Sequence, residues 1–84
     1  MGGAVTVDPL ERYKNDRTMY LLRDLRDVLR EREIVNVSRR TMEYWYSTGV
    51  TNSDGESVRL KTKRIGLRHH SSCAWVIEFI RESA

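Results

Sequence analysis

Two groups of side chains in this 84-residue chain have types and spacings that could do chemistry. The first is Arg39-Arg40, followed one helical turn on by Glu43 and Tyr44. A guanidinium presents paired donors that match two adjacent acceptors, the arrangement offered by guanine O6 and N7. Glu43 could accept from a cytosine amino group, or orient an arginine. Cations in the first turn of a helix oppose its macrodipole, so their placement asks for a reason beyond solvation. The second group is Arg59, Lys61, Lys63, Arg64 and Arg68, which lie between Ser57 and Ile77 with no acidic residue among them. The plain alternative for this run is the polar face of an edge hairpin, where lysines discourage edge-to-edge pairing.

Both groups suit a polyanion, and the distribution of charge says so better than its total. The net charge is only +3. Residues 8–33 carry seven basic and seven acidic side chains and cancel, so the excess sits in residues 57–77. A localised basic stretch is the footprint that nucleic acid requires.

Other chemistry finds less support. His69, His70 and Cys73 are the side chains that suggest a metal, but neighbours on a strand point to opposite faces. Paired Cys and His ligands at zinc spacing are absent, so no metal and no cofactor is expected. There is no glycine-rich phosphate loop, and no Cys/His pair with an orienting partner. No catalytic residue, and no enzyme, is expected. A lone cysteine excludes an internal disulfide. No apolar run approaches the roughly 18–20 residues of a membrane span, and no signal-peptide h-region opens the chain. The cytoplasm is the expected compartment, without a membrane partner. Met1-Gly2-Gly3-Ala4-Val5-Thr6 fits a myristoylation pattern, but so short a pattern arises by chance and reads equally as a flexible tail.

The elements that must position these residues follow from periodicity. Residues 1–15 read as a flexible N-terminal arm, and residues 16–84 as one domain. Leu21, Leu22, Leu25, Val28 and Leu29 recur at spacings of three and four, which predicts a long first helix over 16–32 with a solvated Arg/Asp face. Asp16 or Thr18 would cap it. Ile34-Val35-Asn36-Val37 is a connector. Ser38 caps a second helix that Gly49 closes, with Met42, Trp45 and Tyr46 turned to the core. Thr51 to Gly55 form a loop. Val58, Leu60 and Thr62 alternate with Arg59, Lys61 and Lys63, a strand pattern, which turns at Gly66 and returns through 67–70. Ser71 or Ser72 caps a last helix through Arg81. Its apolar residues exceed one stripe, so some of them would pack on the first helix or on another subunit. The order is helix, helix, strand, strand, helix, an α+β class.

The segment Val37-Ser38-Arg39-Arg40-Thr41-Met42-Glu43-Tyr44-Trp45-Tyr46-Ser47-Thr48-Gly49 resembles the second helix of the excisionase and MerR-type winged helix-turn-helix families. Val58-Arg59-Leu60 leading to Arg64-Ile65-Gly66 is similar to the wing, and Ser72 through Ile80 to the closing helix. The likeness covers about residues 37–81. It departs from the pattern in the long Arg/Asp-rich first helix and in Tyr44, where the family often has a basic residue. The resemblance implies a winged helix-turn-helix that binds double-stranded DNA, either to regulate transcription or to assist a recombinase. The second helix would lie in the major groove, with Ser38, Arg39, Arg40, Thr41, Glu43, Tyr44 and Ser47 as contacts. Arg59, Lys61, Lys63, Arg64 and Arg68 would grip the backbone or minor groove from the wing. Homodimers or side-by-side copies on DNA fit this reading. A protein-interaction adaptor on the same scaffold is the alternative. RNA binding through Tyr44 and Tyr46 is a weaker third.

Overall fold

The computed structural model describes residues 8–84. The myristoylation-like start and the rest of residues 1–7 lie outside the described residues, while residues 8–15 of the expected arm lie within them. Pro9–Arg12 form one helical turn, α1, capped by Asp8, whose carboxylate accepts the Leu10 N–H at 2.9 Å. Then come β1 (Tyr20–Leu21), α2 (Leu22–Glu31), α3 (Arg39–Ser47), β2 (Val50–Thr51), β3 (Ser57–Val58), β4 (Lys63–Ile65), β5 (Arg68–Ser71) and α4 (Cys73–Glu82). The class is α+β. The strands form two antiparallel sheets, one ordered β1-β5-β4 and the other the hairpin β2-β3.

The long first helix does not form. Helix α2 begins only at Leu22, because the residues before it have other partners. The Asp16 carboxylate accepts the Thr18 N–H at 3.1 Å, and Tyr20 and Leu21 pair with Ser71 and His70 of β5. A ladder holds residues extended, so β1 replaces the first helical turns. Neither Asp16 nor Thr18 caps α2, whose cap position is Leu21 with no side-chain hydrogen bond. Within α2 the apolar stripe holds: Leu25 and Leu29 are fully buried, with Leu22 and Val28 packed beside them.

Helix α2 ends in a Schellman motif, in which the residues after the helix reach back to its last carbonyls. Glu33 N–H donates to the Arg30 carbonyl at 3.1 Å and Ile34 N–H to the Leu29 carbonyl at 2.9 Å. Glu33 takes a φ of 58° there, in the left-handed region. Arg26 Nε then donates to the Val37 carbonyl at 3.3 Å and fastens the connector to α2. Helix α3 starts as expected at Ser38 and stops at Gly49, whose N–H reaches the Tyr44 carbonyl at 2.8 Å. Gly49 has φ 81°, and a Cβ there would overlap the Val58 carbonyl and lie 2.7 Å from Arg59 Cγ.

The strand expected over 58–63 is divided. Val58 pairs with Val50 rather than with the 67–70 segment, and Lys63 pairs with His70. Between them Leu60, 3% exposed, donates its N–H to the Trp45 carbonyl at 3.0 Å. The period-two pattern survives the break: Val58, Leu60 and Thr62 turn inward while Arg59, Lys61 and Lys63 are exposed. Thr51, assigned to a loop by its turn-forming neighbours, lies in β2. Gly66 has φ 65° while Leu67 lacks a positive φ, so the two-residue turn between β4 and β5 is of the II′ kind that suits strand twist.

Helix α4 starts at the Ser72 cap and buries Cys73, Ala74, Val76, Ile77 and Phe79. Its apolar surplus is covered within the chain. The segment before β1 lies against it, with Ala74 N–H donating to the Asp16 carbonyl at 3.0 Å and Arg81 paired with Glu11 at 2.9 Å. Asp16 also binds the Arg32 guanidinium, which lies 4.5 Å from the Tyr13 ring centroid. Among the described residues no helix is long and apolar enough to cross a membrane.

Two predictions follow from these contacts. Gly49→Ala should cost more than about 2 kcal/mol, roughly 10 °C in Tm, since left-handed strain adds to backbone overlap. Gly55→Ala, with φ 79° but open space around it, should cost only about 1 kcal/mol. Comparable losses for both would contradict the close approach at Gly49. Asp16 is held below the usual carboxylate pKa, chiefly by Arg32 and then by the Thr18 amide. A depressed carboxyl stabilises the fold at pH above its ordinary range and loses that contribution as pH falls through its folded-state pKa. Asp16→Asn should therefore cost on the order of 1–3 kcal/mol at neutral pH. In denaturant titrations the gap to wild type should close as the solution is acidified.

Candidate nucleic-acid interface

The expected recognition residues lie along α3, with Ser38 at its cap, Arg39, Arg40 and Thr41 in its first turn, Glu43 and Tyr44 in the next and Ser47 at its end. Ser38 Oγ accepts the Thr41 N–H at 3.1 Å and donates to Thr41 Oγ1 at 3.0 Å. Arg39, its side chain 79% exposed, pairs with Glu43 at 3.2 Å, so Glu43 orients an arginine in this structure. Such an exposed i,i+4 pair is worth little and can exchange for a phosphate at small cost. Arg40 and Tyr44 are exposed, and Arg40 makes no salt bridge among the described residues. The Ser47 hydroxyl donates to the Glu43 carbonyl at 2.6 Å, so its proton serves the helix itself. The Thr41 hydroxyl keeps its own.

Three elements bring cations to one groove. Arg23 and Arg26 come from α2, Arg39 and Glu43 from α3, and Arg68 and His69 from β5, over a floor that includes Leu22, Met42 and Tyr46. Arg26 is fixed by its bond to the Val37 carbonyl. The hairpin is fixed by His69, which stacks on Tyr46 at 4.5 Å and 25° and places Nδ1 3.2 Å from Thr62 Oγ1. His70 Nδ1 faces the Arg68 carbonyl at 3.1 Å. The two imidazoles have separate partners. Arg64 stands opposite His69 in the ladder and Lys63 opposite His70, both exposed.

The sequence-predicted wing divides at this point. Arg68 shares the groove with Arg39, and Lys63 and Arg64 ride on the same hairpin. Arg59 and Lys61 border a different depression, beside Arg81 and the acidic Asp54, Glu56 and Glu82. Lys61 pairs with Glu78 at 2.8 Å, which raises its pKa above the ordinary lysine value. The backbone of this segment is tied to α3 through the Leu60–Trp45 bond and to β5 through the Lys61 carbonyl, which accepts from Ser71 Oγ at 2.7 Å, while the Lys61 side chain turns to Glu78 of α4. Arg23 and Arg26, on the α2 face whose alternating charges predict only solvation, also line the groove. Their three-residue spacing places them on one side of the helix, but Asp24 and Asp27 beside them hide it in any count of charge.

Comparison with known proteins returns no matching family model, no matching curated protein and no matching solved structure.

If the Tyr46–His69 stack fastens the hairpin to α3, Tyr46→Ala should loosen the hairpin before the core. Stacked pairs contribute about 0.5–1.5 kcal/mol beyond area burial. Amide hydrogen exchange should accelerate across 63–71 while α4 stays protected. Equal acceleration in both would show that Tyr46 is simply part of the core.

Proposed function

We propose that this protein is a sequence-specific double-stranded DNA-binding protein of winged helix-turn-helix form, of the excisionase or small transcription-regulator kind. Helix α3 lies in the major groove, and the β4–β5 hairpin is the wing on the backbone and minor groove. The observation that carries this reading is the groove between α2, α3 and β5, where Arg23, Arg26, Arg39 and Arg68 converge with Glu43 as the one acidic neighbour. Convergence of cations from three elements suits a phosphate backbone, and the exposed first turn of α3 suits base edges. Arg39, Arg40, Glu43 and Tyr44 are the base-edge candidates. Arg23, Lys63, Arg64 and Arg68 are the phosphate candidates. The Thr41 hydroxyl and the Arg39 and Arg40 amides supply further donors. Arg59 and Lys61 lie off this surface and are removed from the proposed contact set. The action is binding, with no chemical step.

Fluorescence anisotropy against mixed duplex DNA, at low and at moderate salt, tests the proposal. Each phosphate contact contributes about −0.9 to the slope of log affinity against log salt. Arg23→Ala/Arg68→Ala should weaken binding on all sequences and flatten that slope. Arg39→Ala/Arg40→Ala should weaken it by about tenfold or more, on the scale of one lost base-edge contact. Lys61→Ala should leave binding unchanged. A folded wild-type protein that fails to bind at low salt would sink the proposal and turn attention to a protein partner.

A further inference from the structure

The apex of the β4–β5 hairpin carries an unusual side chain. Leu67 is 89% exposed, and Ile65 beside it is 46% exposed. A leucine in water at the tip of a two-residue turn gains nothing for the fold, whereas burying it would be favourable. A polar residue would serve the turn as well. Its surroundings say what could cover it. Lys63, Arg64 and Arg68 flank it within the hairpin, no acidic residue lies between Ser57 and Ile77, and Leu67 borders the same groove as Arg39 and Arg68. A purely acidic or purely apolar pocket matches only half of this combination. An apolar tip ringed by cations fits a polyanion with an apolar interior, and stacked base pairs between two phosphate strands are such an object.

We infer that Leu67 is a wedge that enters the minor groove and separates a base step, with Arg64 and Arg68 holding the phosphates on either side. This rests on the DNA-binding reading and goes beyond it by assigning a residue and a substrate feature. Apolar wedges of this kind partly unstack the step and kink the duplex by about 20–90°. Pyrimidine–purine steps such as TA and CA/TG unstack most easily, so target sites should carry one beneath the wing. The turn is built for the purpose: Gly66 takes the left-handed position at no steric cost, and the stack of His69 on Tyr46 braces the hairpin from behind.

The test uses a short alternating TA duplex with 2-aminopurine in place of central adenines, titrated at low salt with the full chain. Anisotropy reads binding, and 2-aminopurine fluorescence reads unstacking. Wild type and Leu67→Phe should raise the fluorescence as they saturate the duplex. Leu67→Ala should saturate it with the rise lost and with an unchanged melting temperature. A rise that persists in Leu67→Ala, or saturation by wild type without any rise, would overturn the wedge and leave the DNA-binding reading standing. Saturation without any rise, together with self-association that Leu67→Ala abolishes, would assign the tip to a second copy instead. Absence of binding in anisotropy would overturn both readings at once.

Discussion

The packing of α4 is the constraint on which the rest depends. A chain of 84 residues has few apolar side chains to spend on a core, and small domains bury a low fraction of their surface. Half of α4 is buried, and the other elements meet on it. Leu25 and Leu29 of α2, Met42 of α3, Leu60 from the crossing segment, and Cys73, Val76 and Phe79 of α4 itself make one cluster. Trp45 lies 4.8 Å from Phe79 between ring centroids. Burial also pushes the Cys73 thiol pKa up, which makes it a packing residue rather than a reactive one. With the interior occupied in this way, Arg39, Arg40 and the cations of the β4–β5 hairpin lie exposed at the periphery.

The charges sort themselves accordingly. Arg32, Lys61 and Arg81 bind Asp16, Glu78 and Glu11, and each of these pairs joins elements distant in sequence. Arg23, Arg40, Lys63, Arg64 and Arg68 make no salt bridge among the described residues. Three of the twelve acidic residues thus tie distant parts of the fold together. These five lie around one groove or on one hairpin, whereas Arg59, also without a salt bridge among the described residues, borders the other depression. Net charge conceals this division; position reveals it.

Much of the fold is legible in the sequence where the signal is local. Ser38, Ser72 and Gly49 mark helix ends because capping and left-handed backbone are decided within a few residues. The alternation from Val58 to Lys63 predicts which side chains face inward even where the strand breaks. What the sequence hides is decided at a distance. Residues 20–21 join a sheet instead of a helix because β5 supplies a partner some fifty positions later, which local periodicity does not register. The end of α2 has Glu33 where glycine is usual, so its Schellman motif left no mark. The Lys61 side chain is drawn to Glu78 of α4 rather than toward Arg68, a contact between residues seventeen positions apart. For the same reason Arg23 and Arg26 join the groove unannounced.

The most direct test of the central claim is an amide NMR titration with duplex DNA. It asks which surface the DNA covers rather than how tightly it binds. Shifts should cluster at the start of α2, the first turn of α3 and the β4–β5 hairpin, with α4 and the 52–56 loop quiet. Shifts centred on α4 and on the depression beside Arg59 and Lys61, with α3 unmoved, would contradict that claim.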